Sequence, residues 1–212
     1  VSSFLKSSAT ILIAGALLAN TVQAGSDNTL FILQDSSFGG LGNTLFVDQS
    51  EASGSTISGA LGGTLPAQQT GFGNIAEVLL TGEAAAVVLL QNNTGAGAVA
   101  ELNSATLTGG TLATLILQQD GVGNEGSVTV LGLDATGALF QSGNENTGSV
   151  EVTGDQAFGK LEQIGNGNTS GLQVQGAGAS VTYTQIGDNL TSATLPTVYS
   201  NGGAVTITQT SY

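Results

Sequence analysis

The sequence predicts an all-β fold, a β-solenoid of stacked ~22-residue strand-turn-strand repeats. Three observations predict it. Gln69, Gln91, Gln119, Gln141, Gln163 and Gln185 form a register that mostly steps by 22 residues. Apolar residues alternate with polar ones between these glutamines, the period-two signature of a strand with one buried face. Glycines fall between the alternating stretches, where a turn needs them and a helix would not tolerate them.

Composition narrows the class. The chain has 212 residues with 33 Gly and no Cys, Met, Trp or His, and it carries two basic residues against 15 acidic ones. Hydrophobic residues make up 40% of it, too many for a disordered polar tail. So little positive charge argues against nucleic acid and against an anionic membrane surface as partners. Without His or Cys there is no catalytic triad of the usual kind and no His/Cys zinc site. The reading therefore assigns no catalytic, metal-binding or cofactor-binding residue and no enzymatic activity.

Residues 1–24 read as a secretory signal peptide. Lys6 supplies the basic start, residues 9–19 the apolar stretch, and Val22-Gln23-Ala24 a small-x-small cleavage site. The apolar stretch is too short to span a bilayer, and no other stretch is long enough. Residues 25–66 read as an N-terminal segment of weak repeats or linker. It holds two near-copies of one strand phrase, Asn28 to Gln34 and Asn43 to Gln49, around the glycine phrase of residues 39–42. Residues 50–64 are rich in Ser, Gly and Thr.

Residues 67–212 carry the repeats. The best copies start at Asn74, Asn124, Asn146 and Asn168. Four and six residues on, they place apolar side chains: Val78 and Leu80, Val128 and Val130, Val150 and Val152, Leu172 and Val174. Gly82, Gly132, Gly154 and Gly176 follow as turn glycines. Ala85, Ala135, Ala157 and Ala179 come next, then a strand ending in the register glutamine. Stacking such units at roughly 4.8 Å sets identical residues above one another. The six glutamines and the four asparagines are thus expected to form structural amide ladders. From Gln91 to Gln119 the spacing is 28 residues, and the excess is expected as an enlarged turn at Asn103–Gly110. Residues 190–203 form the weakest repeat, and Val205 to Gln209 begin a further strand. The carboxylates Asp120, Glu125, Glu145, Asp155 and Asp188 fall at different phases, which disfavours a calcium ladder.

The phrase Gln-x-Gly-x-Gly-Asn resembles the curlin repeat. Gln69, Gly71, Gly73, Asn74 and Ala76 match it in order, as do Gln119, Gly121, Gly123 and Asn124, and again Gln163, Gly165, Gly167 and Asn168. Gln141, Gly143 and Asn146 form a looser copy, and Gln185 with Gly187 a partial one. The family's leading Ser is Ala here, and its second Gln is Leu80, Val130, Val152 or Val174; Gln34 and Gln49 are read as the copies that keep it. The resemblance implies a secreted subunit of curli, the amyloid fibre (fimbrium) of bacterial surfaces, active in biofilm and cell adhesion. The partners it implies are the chain itself, other curlin-type subunits and an outer-membrane export machinery. A soluble secreted solenoid adhesin that binds a surface or polysaccharide is the alternative.

Overall fold

The computed structural model describes residues 8–14, 21–36, 42–95, 101–192 and 195–211. Lys6, residues 39–41, Ala96 and Tyr212, on which parts of the sequence reading fall, lie outside them. Among the described residues the regular structure is all strand, with no α-helix. The strands form two parallel sheets. One holds β1 (Ser8–Ala14), β3 (Thr29–Asp35), β5 (Thr56–Ser58), β6 (Ala67–Gly71), β8 (Ala86–Asn93), β10 (Thr114–Asp120), β12 (Thr136–Ser142), β14 (Phe158–Ile164), β16 (Ser180–Ile186) and β18 (Ala204–Thr210). The other holds β2 (Thr21–Ala24), β4 (Thr44–Gln49), β7 (Asn74–Leu80), β9 (Asn103–Gly109), β11 (Glu125–Val130), β13 (Thr147–Val152), β15 (Thr169–Gln175) and β17 (Thr197–Tyr199). Below, these are the first and second sheets. The chain passes from one to the other and back in each repeat.

Equal repeat length makes each strand the neighbour of its own equivalent. Gln119 lies beside Gln141, Gly126 beside Gly148, Val128 beside Val150 and Val130 beside Val152. The inward positions of both sheets form one core. Leu80, Leu89, Leu107, Leu117, Val130, Leu139, Leu161 and Val174 are fully buried in it. Each such leucine contributes about 1.5–3 kcal/mol by leaving water. Ala85, Ala113, Ala135, Ala157 and Ala179 are buried just after the turns that lead into the first sheet.

Two features depart from the sequence reading. Asn103–Gly109 is not an enlarged turn but strand β9, paired with β7 and β11. The extra residues lie ahead of it, between Asn93 and Asn103. Forming the strand there buries Ala105 and Leu107, which a loop would leave in water. Gln34 does not belong to the second glutamine column; it lies beside Gln69, in the first. Gln49 alone sits in the second column, since its neighbour Asp48 pairs with Leu79 and so sets Gln49 beside Leu80.

Residues 50–66, read as weak repeat or linker, hold strand segments of the first sheet. Thr56–Ser58 and Ala67–Gly71 are the two halves of a single strand position. Ser58 lies beside Val88 and Gln68 beside Leu90, so Ala67 falls at Leu89. Residues 59–66 are thus an insertion that leaves and re-enters mid-strand. The flap is closed by Gly59 N donating to Leu65 O (2.8 Å), Gly63 N to Ala60 O (3.1 Å) and Ser58 Oγ to Ala60 O (2.7 Å). At the other end, Thr197–Tyr199 joins β15. Within the segment read as a leader, Ser8–Ala14 pairs with β3 and Thr21–Ala24 with β4.

The turn glycines act by close approach. A Cβ on Gly132 would strike the carbonyl of Gly154, and one on Gly154 that of Gly176. The left-handed conformation falls two residues later, at Ala84, Leu112, Asp134, Gln156 and Gly178, with φ of 53°, 55°, 55°, 54° and 67°. Only the last is the residue type that adopts it without cost. Two substitutions separate these roles. Gly154→Ala is expected to destabilise by roughly 1–3 kcal/mol through overpacking. Gln156→Gly is expected to leave stability unchanged or raise it by up to about 1 kcal/mol. Chemical denaturation midpoints check both, and equal losses would refute the assignment.

Candidate functional site

The chain's most distinctive chemistry is polar and buried. Gln69, Gln91, Gln119, Gln141, Gln163 and Gln185 each end an inward-facing run of the first sheet, and all are at most 2% exposed. A glutamine in such a core must find partners for two N–H groups and a carbonyl. In-register stacking supplies them. Each Nε2 donates to the Oε1 of the next glutamine: Gln69 to Gln91 (2.8 Å), Gln91 to Gln119 (2.8 Å), Gln119 to Gln141 (2.9 Å), Gln141 to Gln163 (2.9 Å) and Gln163 to Gln185 (2.9 Å). The remaining N–H reaches backbone carbonyls at the start of the second-sheet strands, such as Ser104 O (2.9 Å) from Gln119 and Glu125 O (2.9 Å) from Gln141. The 28-residue step from Gln91 to Gln119 leaves the column unbroken.

Two further glutamines extend the column. Gln34 donates to Gln69 (2.6 Å), and Gln185 donates to Gln209 (3.0 Å). All seven bonds point the same way along the stack. Tyr183 stands where other repeats have Leu89, Leu139 or Leu161, and its hydroxyl donates to Gln209 Oε1 (2.8 Å).

A second column links the asparagines. Backbone N–H groups donate to the Oδ1 of the preceding repeat: Asn124 to Asn103 (2.9 Å), Asn146 to Asn124 (3.1 Å), Asn168 to Asn146 (3.1 Å) and Leu190 to Asn168 (2.9 Å). Side-chain amides reach forward: Asn124 Nδ2 to Gly143 O, Asn146 Nδ2 to Gly165 O and Asn168 Nδ2 to Gly187 O, each 2.8 Å. Asn74 takes part through Asn43, its N and Nδ2 donating to Asn43 Oδ1 at 3.0 and 3.1 Å. Asn43 and Asn103 are members that the period alone does not reveal. In the regular repeats asparagine follows glutamine by five residues, whereas Asn103 follows Gln91 by twelve.

An exposed ladder runs outside these two. Val122 N donates to Asn144 Oδ1 (3.0 Å), Asn144 N to Asn166 Oδ1 (2.9 Å), Asn166 N to Asp188 Oδ1 (2.7 Å) and Asp188 N to Ser211 Oγ (3.1 Å). Its signal in the sequence is an oxygen-bearing side chain three residues after Gln141, Gln163 and Gln185, and two after Gln209.

Gln49 is the exception to satisfaction. It is fully buried, and neither its amide nitrogen nor its oxygen has a hydrogen-bond partner. Its column continues as Leu80, Gly109, Val130, Val152 and Val174, which offer no polar atom. Next to it on the surface, Ser50 donates its hydroxyl (2.6 Å) and its backbone N–H (2.9 Å) to Asp48, and these bonds hold that carboxyl below the usual carboxylate range.

Among the described residues no group of three or more His, Cys, Asp or Glu is placed to hold a metal ion. No helix among them is long and apolar enough to cross a membrane. Searches against protein-family models, curated proteins and solved structures return no match.

Substitutions in the glutamine columns test this geometry. Gln141→Leu strands an N–H of Gln119 and the carbonyl of Gln163, and is expected to destabilise by about 2–5 kcal/mol. Gln49→Leu removes an unpartnered amide and matches Leu80 beside it. It is expected to stabilise by about 1–3 kcal/mol. Urea unfolding of both variants reads the contrast, and a loss of stability in Gln49→Leu would contradict it.

Proposed function

We propose that the chain is a curlin-like β-solenoid and serves as a structural subunit of an extracellular, curli-like amyloid fibre on a bacterial surface. In this reading residues 1–24 direct export and are removed. An outer-membrane export machinery delivers the remainder, and copies of the chain, with other curlin-type subunits, add by strand pairing at sheet edges. Fibres of this kind build biofilm matrix and support adhesion.

One observation carries the proposal. The glutamine column is a one-way hydrogen-bond chain through parallel, in-register strands, and any further rung of the same kind would extend it at the edge of β18. Exposed strand edges of this sort recruit other chains unless they are blocked. A second consideration is charge. With 15 acidic residues against two basic ones, copies repel one another at neutral pH, which slows association before export is complete. Removal of residues 1–24 would also uncover the edges of β3 and β4, which β1 and β2 cover in the full chain.

The test is assembly. The chain freed of residues 1–24 is expected to form fibres with diffraction spacings near 4.7–4.8 Å and ~10 Å. Lowering the pH toward the isoelectric point of about 4.1 protonates carboxylates, reduces the repulsion and is expected to shorten the lag. A chain that stays monomeric for days at high concentration and low pH would sink the fibre reading and leave the secreted adhesin.

A further inference from the structure

The two sheets present unlike outer faces. From β9 to β13 the second sheet's is acidic and hydroxylated, with Glu125 and Glu151 outward among Thr and Ser and no Lys or Arg, while at β4 and β7 Phe46, Ile75 and Leu79 stand outward beside Asp48 and Glu77. The first sheet's outer face from β8 to β14 instead carries Leu90, Ile116, Phe140 and Phe158, half-buried around Val88 and Ala138, which their neighbours already cover. Their strand neighbours Val87, Leu89, Leu115, Leu117, Leu139 and Leu161 point into the core. The few charges on this face are partnered. Lys160 lies 2.9 Å from Glu162 and 4.9 Å from the centre of the Phe140 ring, and Asp120 accepts from Asn92 Nδ2 at 2.9 Å.

We infer that this face pairs with the same face of a second copy of the chain. Charge selects the face. On a molecule of net charge −13, a second copy meets like charge over the second sheet's outer face, whereas the first sheet's offers apolar side chains and a neutralised ion pair. Spacing supports it too. Both copies repeat at the same strand separation, so a row of side chains on one finds grooves of matching period on the other. The face has such grooves. A groove of about 390 Å³ runs between Leu90 and the polar Gln118 and Asp120, and one of about 190 Å³ between these two and Phe140. The flap of residues 59–66, with Leu61 59% and Leu65 54% exposed, rises at the β5–β6 break beside Val88 and bounds the paired area. Beyond the flap, Phe31 and Leu33 of β3 continue the apolar character of the face but are shut off from it.

The fibre readout of this inference rests on the proposed function, while its solution readout does not. The triple variant Leu90→Gln, Ile116→Thr and Phe140→Thr uses residue types already present in the same outward columns, at Gln118, Thr182 and Thr184, so the fold is retained. In sedimentation equilibrium the full soluble chain is expected to dimerise, and the triple variant to dimerise at least about tenfold more weakly. Deleting residues 59–66 joins Ser58 to Ala67 in register, opens the face to Phe31 and Leu33, and is expected to tighten the dimer. In fibres, mass per length is expected to correspond to two stacks for the parent and one for the triple variant, with the strand spacing unchanged. A parent chain that is monomeric at all concentrations overturns the inference, as does a triple variant that dimerises equally well. So does a monomeric parent that binds phosphatidylcholine vesicles through Ile116, since the occupant is then a lipid surface. Absence of fibres alone counts against the fibre reading and leaves the sedimentation result to decide the pairing.

Discussion

Everything in this structure follows from parallel pairing of each strand with its own equivalent one repeat away. Under that constraint a residue's main neighbour is another copy of its own column. Aliphatic columns then pack well, as Val128 on Val150 does, and glycine columns let turns stack without Cβ collisions. Carboxylate columns would be costly inside, so acidic residues stand on outward positions and in different phases. Amide columns are the special case. An amide is both donor and acceptor, so a stack of identical amides satisfies itself.

Magnitudes separate the roles of the two kinds of column. A buried leucine contributes about 1.5–3 kcal/mol, whereas a satisfied amide bond adds only about 1 kcal/mol. The aliphatic core therefore supplies most of the stability. The amides supply register, because a slip of one residue would turn every glutamine to the outside and every outward side chain inward. Gln49 illustrates the rule from the other side. It is an amide in an otherwise aliphatic column, and among the described residues it is the one whose buried side-chain polar atoms go unpaired. A column of Val and Leu favours packing over register. The glutamine column, with the asparagine column beside it, is left to hold the alignment.

The repeat unit was legible in the sequence because its signal is local. The glutamine register, the alternation of Val and Leu, and the turn glycines each recur at fixed offsets within one repeat. What escaped was set by tertiary pairing. Asn103 joins the asparagine column although twelve residues separate it from Gln91, because a loop between strand positions can lengthen without disturbing the stack. Residues 59–66 escaped for a similar reason: composition marks them as flexible, but nothing local shows that Ser58 and Ala67 are adjacent in one strand. Gln34 follows Asn28 by the six residues that mark the second column, yet its partner is Gln69, in the first. The non-glycine residues at positive φ, such as Asp134 and Gln156, carry no consistent residue type, and only the backbone reveals them.

The central claim is that the buried glutamines form one continuous hydrogen-bonded column. Hydrogen exchange of the glutamine side-chain amides, resolved by NMR, tests it most directly. The Nε2 protons of Gln91, Gln119, Gln141 and Gln163 are expected to exchange as slowly as the backbone amides of β10–β14, with the outward Gln118 exchanging fast. Side-chain protons in the column that exchange as quickly as those of Gln118, while the backbone remains protected, would contradict it.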